Sequence, residues 1–419
     1  MELYTDVLVV GGGPSGVAAA ISASREGART LIAEKSGLFG GMSTGGLLNV
    51  WCGSASSGVW ETVRDRTTEK RQRRSVFSPE TLKSLYPELL DEAGAEMLLH
   101  AQLIDVEKDG DRVKTAVFYG KSGRIRIHAK VFIDSTGDGD LAFLSGVPFE
   151  KGRDLDGLMQ PMSLEFMVAG VDDQRAVYPT FGTHPDLEEN MRRYVSEGKI
   201  LAPCGHVILL EGFEPGTACV NSTNVIRVDG TDERDLTRAE LLTRRQIPQI
   251  VRFLNECVPG YEQAYIVASA CHIGVRETRR FNGLYRLSEE DILAQRIFGD
   301  WIVSNAQYAF GVHNLTGCGG DVHKPDYHGE RYTIPQRCFL TREAKNVLLN
   351  GRNISGTHLA HSSYRVMPIC FAMGEGTGTM AALAAKNDAL PENVDARDIQ
   401  ARLLARGVAQ PSPKEIVKG

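Results

Sequence analysis

Asp6-Val7-Leu8-Val9-Val10-Gly11-Gly12-Gly13-Pro14-Ser15-Gly16 is the stretch that decides the architecture. The apolar, β-branched run 6–10 reads as a strand buried on both faces, the habit of a parallel sheet. Gly11, Gly13 and Gly16 fit the spacing G-x-G-x-x-G. The first permits a tight turn, the second lets backbone approach a pyrophosphate, and the third lets helix pack close to strand. Pro14 stands where a helix begins, and the Ala- and Ile-rich residues 14–25 continue it. Residues 30–33 form a second buried strand, and Glu34 follows at the distance from which a carboxylate accepts from a ribose hydroxyl. The helix amino terminus offers unpaired N–H groups and a positive dipole end to phosphates. A glycine turn kept only for packing would need no acid placed after the next strand.

Outward from this β-α-β unit, residues 51–90 are looser and end in a helical stretch, and 96–107 read as one strand. Residues 112–119 and 123–128 alternate across Gly120-Lys121-Ser122, a hairpin signal. Residues 130–134 form another buried strand running into a glycine turn. From about 154 to 332 the texture changes, with a long polar helix over 236–254 and segments rich in His, Asn and Gly. The first texture returns with a strand at 346–350 and a small-residue helix at 369–386. The expected division is therefore 1–153, an inserted domain over 154–332, and a return segment with the C-terminal tail over 333–419. Gly374-Glu375-Gly376-Thr377-Gly378 has no strand before it, so it reads as a thin helix face for packing rather than a second nucleotide turn.

At 419 residues, with 42% hydrophobic and 24% charged, the chain has ordinary globular usage for two or three domains. Lys plus Arg is 47 against 53 for Asp plus Glu, a net charge of −6, which argues against a nucleic-acid footprint. The basic run Lys70-Arg71-Gln72-Arg73-Arg74 reads as a solvated surface loop. There is no apolar run of membrane-spanning length and no basic leader with a cleavage site at the amino terminus. Eight cysteines without a Cys-x-x-Cys pair read as reduced thiols, so the expectation is a cytoplasmic protein without dithiol chemistry. Its oligomeric state is open.

NAD and FAD are separated by two further segments. Gly40-Gly41-Met42-Ser43-Thr44-Gly45-Gly46 lies just past Glu34, and Ser135-Thr136-Gly137-Asp138-Gly139-Asp140 closes a strand far along the chain. Both can bring backbone N–H groups and small side chains against phosphate and ribityl oxygens, and a Rossmann dehydrogenase needs neither. With Gly274-Val275-Arg276-Glu277-Thr278-Arg279-Arg280 and the residues from His361 to Pro368, these segments resemble FAD-dependent oxidoreductases of the two-dinucleotide-binding-domain superfamily, near the fumarate reductase and succinate dehydrogenase flavoproteins. The likeness spans nearly the whole chain and is weakest over 174–265. It implies an α/β fold: a Rossmann-like, glutathione-reductase-like FAD-binding domain with an inserted α+β substrate or cap domain. It also implies FAD held by Gly11, Gly13, Pro14, Ser15 and Gly16, by Glu34, Lys35, Gly41, Met42, Ser43 and Thr44, and by Thr136, Gly137 and Asp138. Gly351 and Arg352 should return to the pyrophosphate and ribityl chain. Pro368 to Cys370 should aim a helix amino terminus at the flavin, where a positive dipole end stabilises the anionic reduced ring. Some relatives attach FAD to a histidine near the second glycine cluster; none stands beside Met42, so FAD is expected to be non-covalent.

His361-Ser362-Ser363-Tyr364-Arg365 has the His-x-x-x-Arg spacing in which the fumarate reductases place an arginine against a substrate carboxylate. Arg365 offers a planar charged fork to an oxyanion, and His361 can move a proton near neutral pH. Tyr364 departs from the small or amide residue of relatives. Arg279 and Arg280 read as an ion network fastening the inserted domain, whereas Arg276 and His272 could equally face the substrate. His313, Cys318, Asp321, His323 and His328 match no closed zinc spacing, so no metal is expected, and His313 is the second candidate for proton transfer. The expected activity is hydride transfer between FAD and a small polar substrate, possibly anionic: a hydroxy acid, a sugar-like alcohol or an activated alkene. The electron acceptor or donor is open. The alternative is a flavin-binding electron-transfer subunit of a larger complex, without metabolite turnover of its own.

Overall fold

The computed structural model describes residues 1–70, 75–320 and 329–412. Its centre is a five-stranded parallel sheet in the spatial order Val347–Leu349, Val131–Asp134, Val7–Val10, Thr30–Ala33, Glu96–Leu98. The three middle strands are buried at every position, as their unbroken apolar runs require. Val10 pairs with Ala33 on one side and Asp134 on the other, and Asp134 pairs with Leu349. Gly11, Glu34, Ser135 and Asn350 therefore leave the sheet together at one edge. Ligands of open parallel sheets bind at this edge, outside the carboxyl ends of the strands.

Helix Pro14–Arg25 packs on the sheet beside helix Met367–Lys386. A Cβ on Gly374 would lie 2.1 Å from the Ser15 carbonyl oxygen, one on Gly378 2.2 Å from that of Ala19, and one on Gly376 2.6 Å from that of Ile302. The Gly374–Gly378 run is thus a packing face that lets two backbones touch.

Residues expected as one strand over 96–107 form two. Glu96–Leu98 closes the parallel sheet, and Gln102–Asp109 joins the hairpin Arg112–Gly120 and Gly123–His128 in an antiparallel sheet. His100, at φ 57°, turns the chain between them.

A second antiparallel sheet, ordered Leu209–Glu211, Thr217–Val220, Phe166–Ala169, Tyr265–Ser269, carries helix Glu233–Cys257 and its own core around Phe166, Val168, Ile250 and Phe253. That core draws on residues 162–273 together with Leu47. Phe281, Trp301, Ile302 and Tyr332, which the sequence groups with the insertion, pack into the first core, because Trp301–Gln307 pairs with Ser54–Ser56 and Tyr332–Pro335. Segment 45–49 ties the second sheet to the glycine cluster. Cys271 N donates to Gly45 O (2.8 Å), and Asn49 Nδ2 donates to Glu211 O (2.8 Å). No helix among the described residues is long and apolar enough to cross a membrane. The run 71–74 lies outside the described residues.

Candidate functional site

At the sheet edge Gly11 takes φ +99°, and a Cβ there would sit 2.4 Å from the Ser135 carbonyl oxygen. Gly16 is tighter still, its would-be Cβ 1.9 Å from the Gly11 oxygen. Gly13 is the exception: a Cβ there meets nothing within 4 Å. The turn is packed on its inner side and open towards the volume a dinucleotide would fill. Pro14 occupies the first turn of the helix behind it. Glu34 accepts from Gly12 N (2.7 Å), Ser36 N (2.8 Å) and Ser36 Oγ (2.8 Å), which fixes its carboxylate beside the turn. Lys35 is exposed.

The second glycine cluster folds against the first. Gly40 N donates to Gly12 O (2.7 Å), and a Cβ on Gly41 would lie 3.4 Å from Gly13 Cα. Ser43 Oγ donates to Gly40 O and meets the Tyr86 hydroxyl, and Thr44 Oγ1 donates to Phe39 O, so these hydroxyls hold the loop's own shape. Met42 fills the joint between the two lobes, because a Cβ on Gly46 or Gly274 would come within 2.6 or 3.1 Å of its Cε.

Two buried asparagines lock the remaining segments. Asn350 Nδ2 donates to Ser15 O (3.1 Å) and Ser135 Oγ (2.8 Å). Asn353 Nδ2 donates to Asp134 O (3.0 Å), and its Oδ1 accepts from Asn350 N (2.9 Å). Asp134 accepts from Thr136 N, Thr136 Oγ1 and Ala142 N, while burial pushes its carboxyl up to about 6. Gly351, at φ +87°, leaves room for Ser15 Oγ. Asp138 accepts from Arg352 Nη2 (2.9 Å) and Thr278 Oγ1 (2.7 Å). Arg352 lies so close over Gly137 that a Cβ there would be 2.7 Å from Nη2. Arg352 Nη1 is buried without a partner, a free cationic donor in the cradle. An extended dinucleotide fits on these grounds: open space at Gly13, an unspent guanidinium donor, and four strand ends converging at one edge. Asn350 was not singled out from sequence; a lone amide closing an apolar strand just before a glycine is the signal that marks it.

Beyond the cradle lies a second constellation. Arg365 caps helix His358–Tyr364 just before helix Met367–Lys386, whose first turn holds Pro368 and Cys370. Burial pushes the Cys370 thiol up to about 12. Arg365 Nη2 donates to Gly311 O (2.9 Å) and Gln160 Oε1 (3.4 Å), while Arg365 Nε and Gln160 Nε2 are buried without partners. Arg276 donates to Pro161 O (2.7 Å) and Ser163 Oγ (2.7 Å). Burial, together with the nearby Arg365 charge, drops its guanidinium to about 9. Neither arginine has a carboxylate within ion-pair distance among the described residues. Glu165 is the acid whose charge acts on Arg276, and burial raises its carboxyl to about 7.

His361 is 1% exposed, its ring edge-on to Tyr364 and its Nδ1 unpartnered. Burial, then the charges of Arg280, Arg365 and Arg352, hold it neutral well below the usual histidine range. The ring is therefore neutral at rest, with Nδ1 open to a hydrogen bond. His272 is exposed. His313 stacks edge-on against Phe181 (4.9 Å) and His206 (6.3 Å) in the second lobe, and Asp321, His323 and His328 lie outside the described residues. Arg280 is buried on Glu277, which also accepts from His358 Nδ1 (2.8 Å) and Gln160 N (3.0 Å). Arg279 pairs with Asp140 (3.1 Å) and lies over Phe143. These two arginines join the segment after the second sheet to the cradle. Gln160, Glu165 and Tyr308 escaped the sequence reading, because no local spacing marks them. Two surface hollows, of about 440 Å³ beside Arg192 and 540 Å³ beside Arg337, lie apart from all of this.

Among solved structures, a geranylgeranyl bacteriochlorophyll reductase-like protein from Thermoplasma acidophilum superposes at a TM-score of 0.53 and 13% identity, over 97% of this chain and 84% of that one. A p-nitrophenol 4-monooxygenase, PnpA from Pseudomonas putida, gives 0.48 at 13% identity, over 97% and 85%. At such identities the likeness is one of fold. No curated protein matches the sequence. The family described as FAD dependent oxidoreductase matches residues 6–403, and the chain belongs to that family.

Proposed function

We propose that this FAD-dependent oxidoreductase exchanges hydride with a small anionic substrate whose oxyanion is held between Arg276 and Arg365. The observation that carries the reading is the pair of half-buried guanidiniums without a carboxylate partner among the described residues. Burying an unpaired charge is expensive, so such a pair is stable when a ligand brings the counter-charge. The unspent donors Arg365 Nε and Gln160 Nε2 supply places for its oxygens.

In this reading FAD is non-covalent and lies along Gly11–Gly16, the Glu34–Gly46 segment, Thr136–Asp138 and Gly351–Arg352. When bound, it supplies a two-electron hydride donor and acceptor. Arg352 neutralises phosphate with Nη1 while Asp138 holds its other amino group. Arg365 and Arg276 orient the substrate and exclude a wrong pose, because a planar fork fixes a carboxylate in two directions. The placement near the fumarate reductases, and the division into 1–153, 154–332 and 333–419, belong to the same reading. Support for the latter is the separate core inside the insertion.

The test is an anaerobic screen of hydroxy acids, 2-oxo acids, sugar alcohols and enoates for bleaching or recovery of the flavin spectrum. Response confined to carboxylates is expected; response only to uncharged alcohols would remove the role of the arginines.

A further inference from the structure

Tyr308 follows strand Trp301–Gln307 and enters the pocket from the first core. Its backbone is fixed, since Ser363 Oγ donates to Tyr308 O (2.7 Å). Its ring is fixed too: a Cβ on Gly311 would lie 2.9 Å from Cε1 and 3.5 Å from the hydroxyl. Gly311 is also the residue whose carbonyl anchors Arg365 (2.9 Å), so tyrosine and arginine share one support. The charges of Arg365 and Arg276 both act on the phenol. Among the described residues no hydrogen bond is made by the Tyr308 hydroxyl, and the residue is half-buried, so the hydroxyl is open to a molecule entering the pocket. The two histidines near the site do not fill the same place. His361 is only 1% exposed, its ring edge-on to Tyr364, and His313 is stacked against Phe181.

We propose that Tyr308 exchanges the proton that accompanies hydride transfer, acting on the substrate that Arg276 and Arg365 hold. The inference rests on the reading in the preceding section. For a 2-oxo acid, the carbonyl carbon receives hydride, and with it two electrons, from the reduced flavin. The Tyr308 O–H bond breaks, and its proton forms the new O–H bond of the hydroxy acid. The phenolate left beside two guanidiniums regains its proton from water. Oxidation of the hydroxy acid runs the same transfers backwards. Burial, with Cys52, keeps the phenol protonated up to about 12 while the two arginines draw it down. It is therefore a proton donor in its resting state, and its conjugate base has cations beside it.

The experiment uses the full chain loaded with FAD and photoreduced without oxygen, with pyruvate and fumarate as probes. Binding is read from the shift of the flavin absorbance, and turnover from its reoxidation. Tyr308→Phe should keep its FAD, bind pyruvate roughly 2- to 10-fold more weakly for loss of one hydrogen bond to the neutral carbonyl, and reoxidise roughly 10²–10⁴ more slowly. Wild-type binding and reoxidation rates in Tyr308→Phe overturn the inference alone, and a slow His361→Gln beside it would move the proton transfer to that histidine. A wild type that binds neither probe overturns the underlying reading and this inference with it. One that binds them but is reoxidised by neither removes hydride exchange with these acids, and the tyrosine's role too.

Discussion

The cradle and the pocket are built on opposite principles. Around the cradle, donors and acceptors are almost all spent within the protein: Glu34 on Gly12 and Ser36, Asn350 on Ser15 and Ser135, Asn353 on Asp134, Asp138 on Arg352 and Thr278. In the pocket, polar groups are held in place but left incomplete, with Arg365 Nε, Gln160 Nε2 and His361 Nδ1 buried and unpartnered. A cofactor recognised through phosphate and ribose can be met by backbone on rigid strand ends. A substrate must be met by side chains whose last partners arrive with it. Rigidity therefore marks the cradle, whose leftover groups are Arg352 Nη1 and Asn350 Oδ1, while the pocket's leftover donors sit on side chains that a substrate would meet.

Substitutions of two glycines three residues apart break this comparison most sharply. Gly13→Val places its side chain in open space, so the chain should fold yet lose its flavin altogether. Gly16→Val drives carbon to within 1.9 Å of the Gly11 oxygen and should cost the fold itself. Flavin content and far-UV circular dichroism of the two purified variants separate the outcomes. Full flavin occupancy in Gly13→Val would show that the phosphates lie elsewhere.

The next effect concerns the joint between the two regions. Glu277 is fully buried and accepts from Arg280, His358 and Gln160. Glu277→Ala leaves Arg280 buried without its counter-charge, and breaking such a pair costs about 3–5 kcal/mol. Chemical denaturation should report that loss, with Glu277→Gln less affected because it keeps the shape and the acceptor. An unchanged midpoint in Glu277→Ala would mean that Arg280 is carried by its carbonyl partners Gly152 and Gly356.

How much of this was legible in the sequence follows the same divide. The first β-α-β unit, the hairpin and the small-residue helix read directly, because each is specified by neighbours in the chain. Residues 96–107 were misread as one strand, since the break depends on His100 adopting φ 57°, which no apolar pattern records. Tyr265–Ser269 is an edge strand with Tyr265, Ile266 and Val267 exposed despite its apolar sequence. Cradle residues cluster in motifs because one turn presents several backbone groups at once. Pocket residues come from positions 160, 165, 276, 308 and 365, brought together by strand pairing and bridges such as Ser163 to Gly274. Only Arg276 and Arg365 stood out beforehand, through charge and spacing.

Glu165 gives the pocket a signature in stability. Burial raises its carboxyl from 4.5 to about 7, against the pull of the Cys219 thiol and the Arg276 charge. The native state then holds this proton more tightly than the unfolded chain. Its contribution is complete below about pH 4.5 and is lost as pH rises through about 7. At one pKa unit to about 1.4 kcal/mol, the decline amounts to ~3 kcal/mol at most. Glu165→Gln should flatten that part of the stability profile measured between these two values. A wild-type slope preserved in Glu165→Gln assigns it to other groups.

Arg365 decides whether the two regions are functionally separate. Its Nη2 is anchored on Gly311, and its Nε is the buried donor left over. A hydrogen bond from a charged donor contributes about 1.5–3 kcal/mol, so Arg365→Ala should weaken pyruvate binding at least about tenfold. Arg365→Lys keeps the charge but not the planar fork and should recover only part of that affinity. Flavin content should be the same in all three proteins, because the cradle's own contacts run through Arg352 and the glycine turns. The measurement is a titration followed in the flavin absorbance, alongside flavin-to-protein ratio. If Arg365→Ala binds pyruvate as the wild type does but purifies poor in flavin, the arginine belongs to the cradle. The unpaired charge would then be answered by the cofactor, and Arg276 alone would be left to meet the substrate.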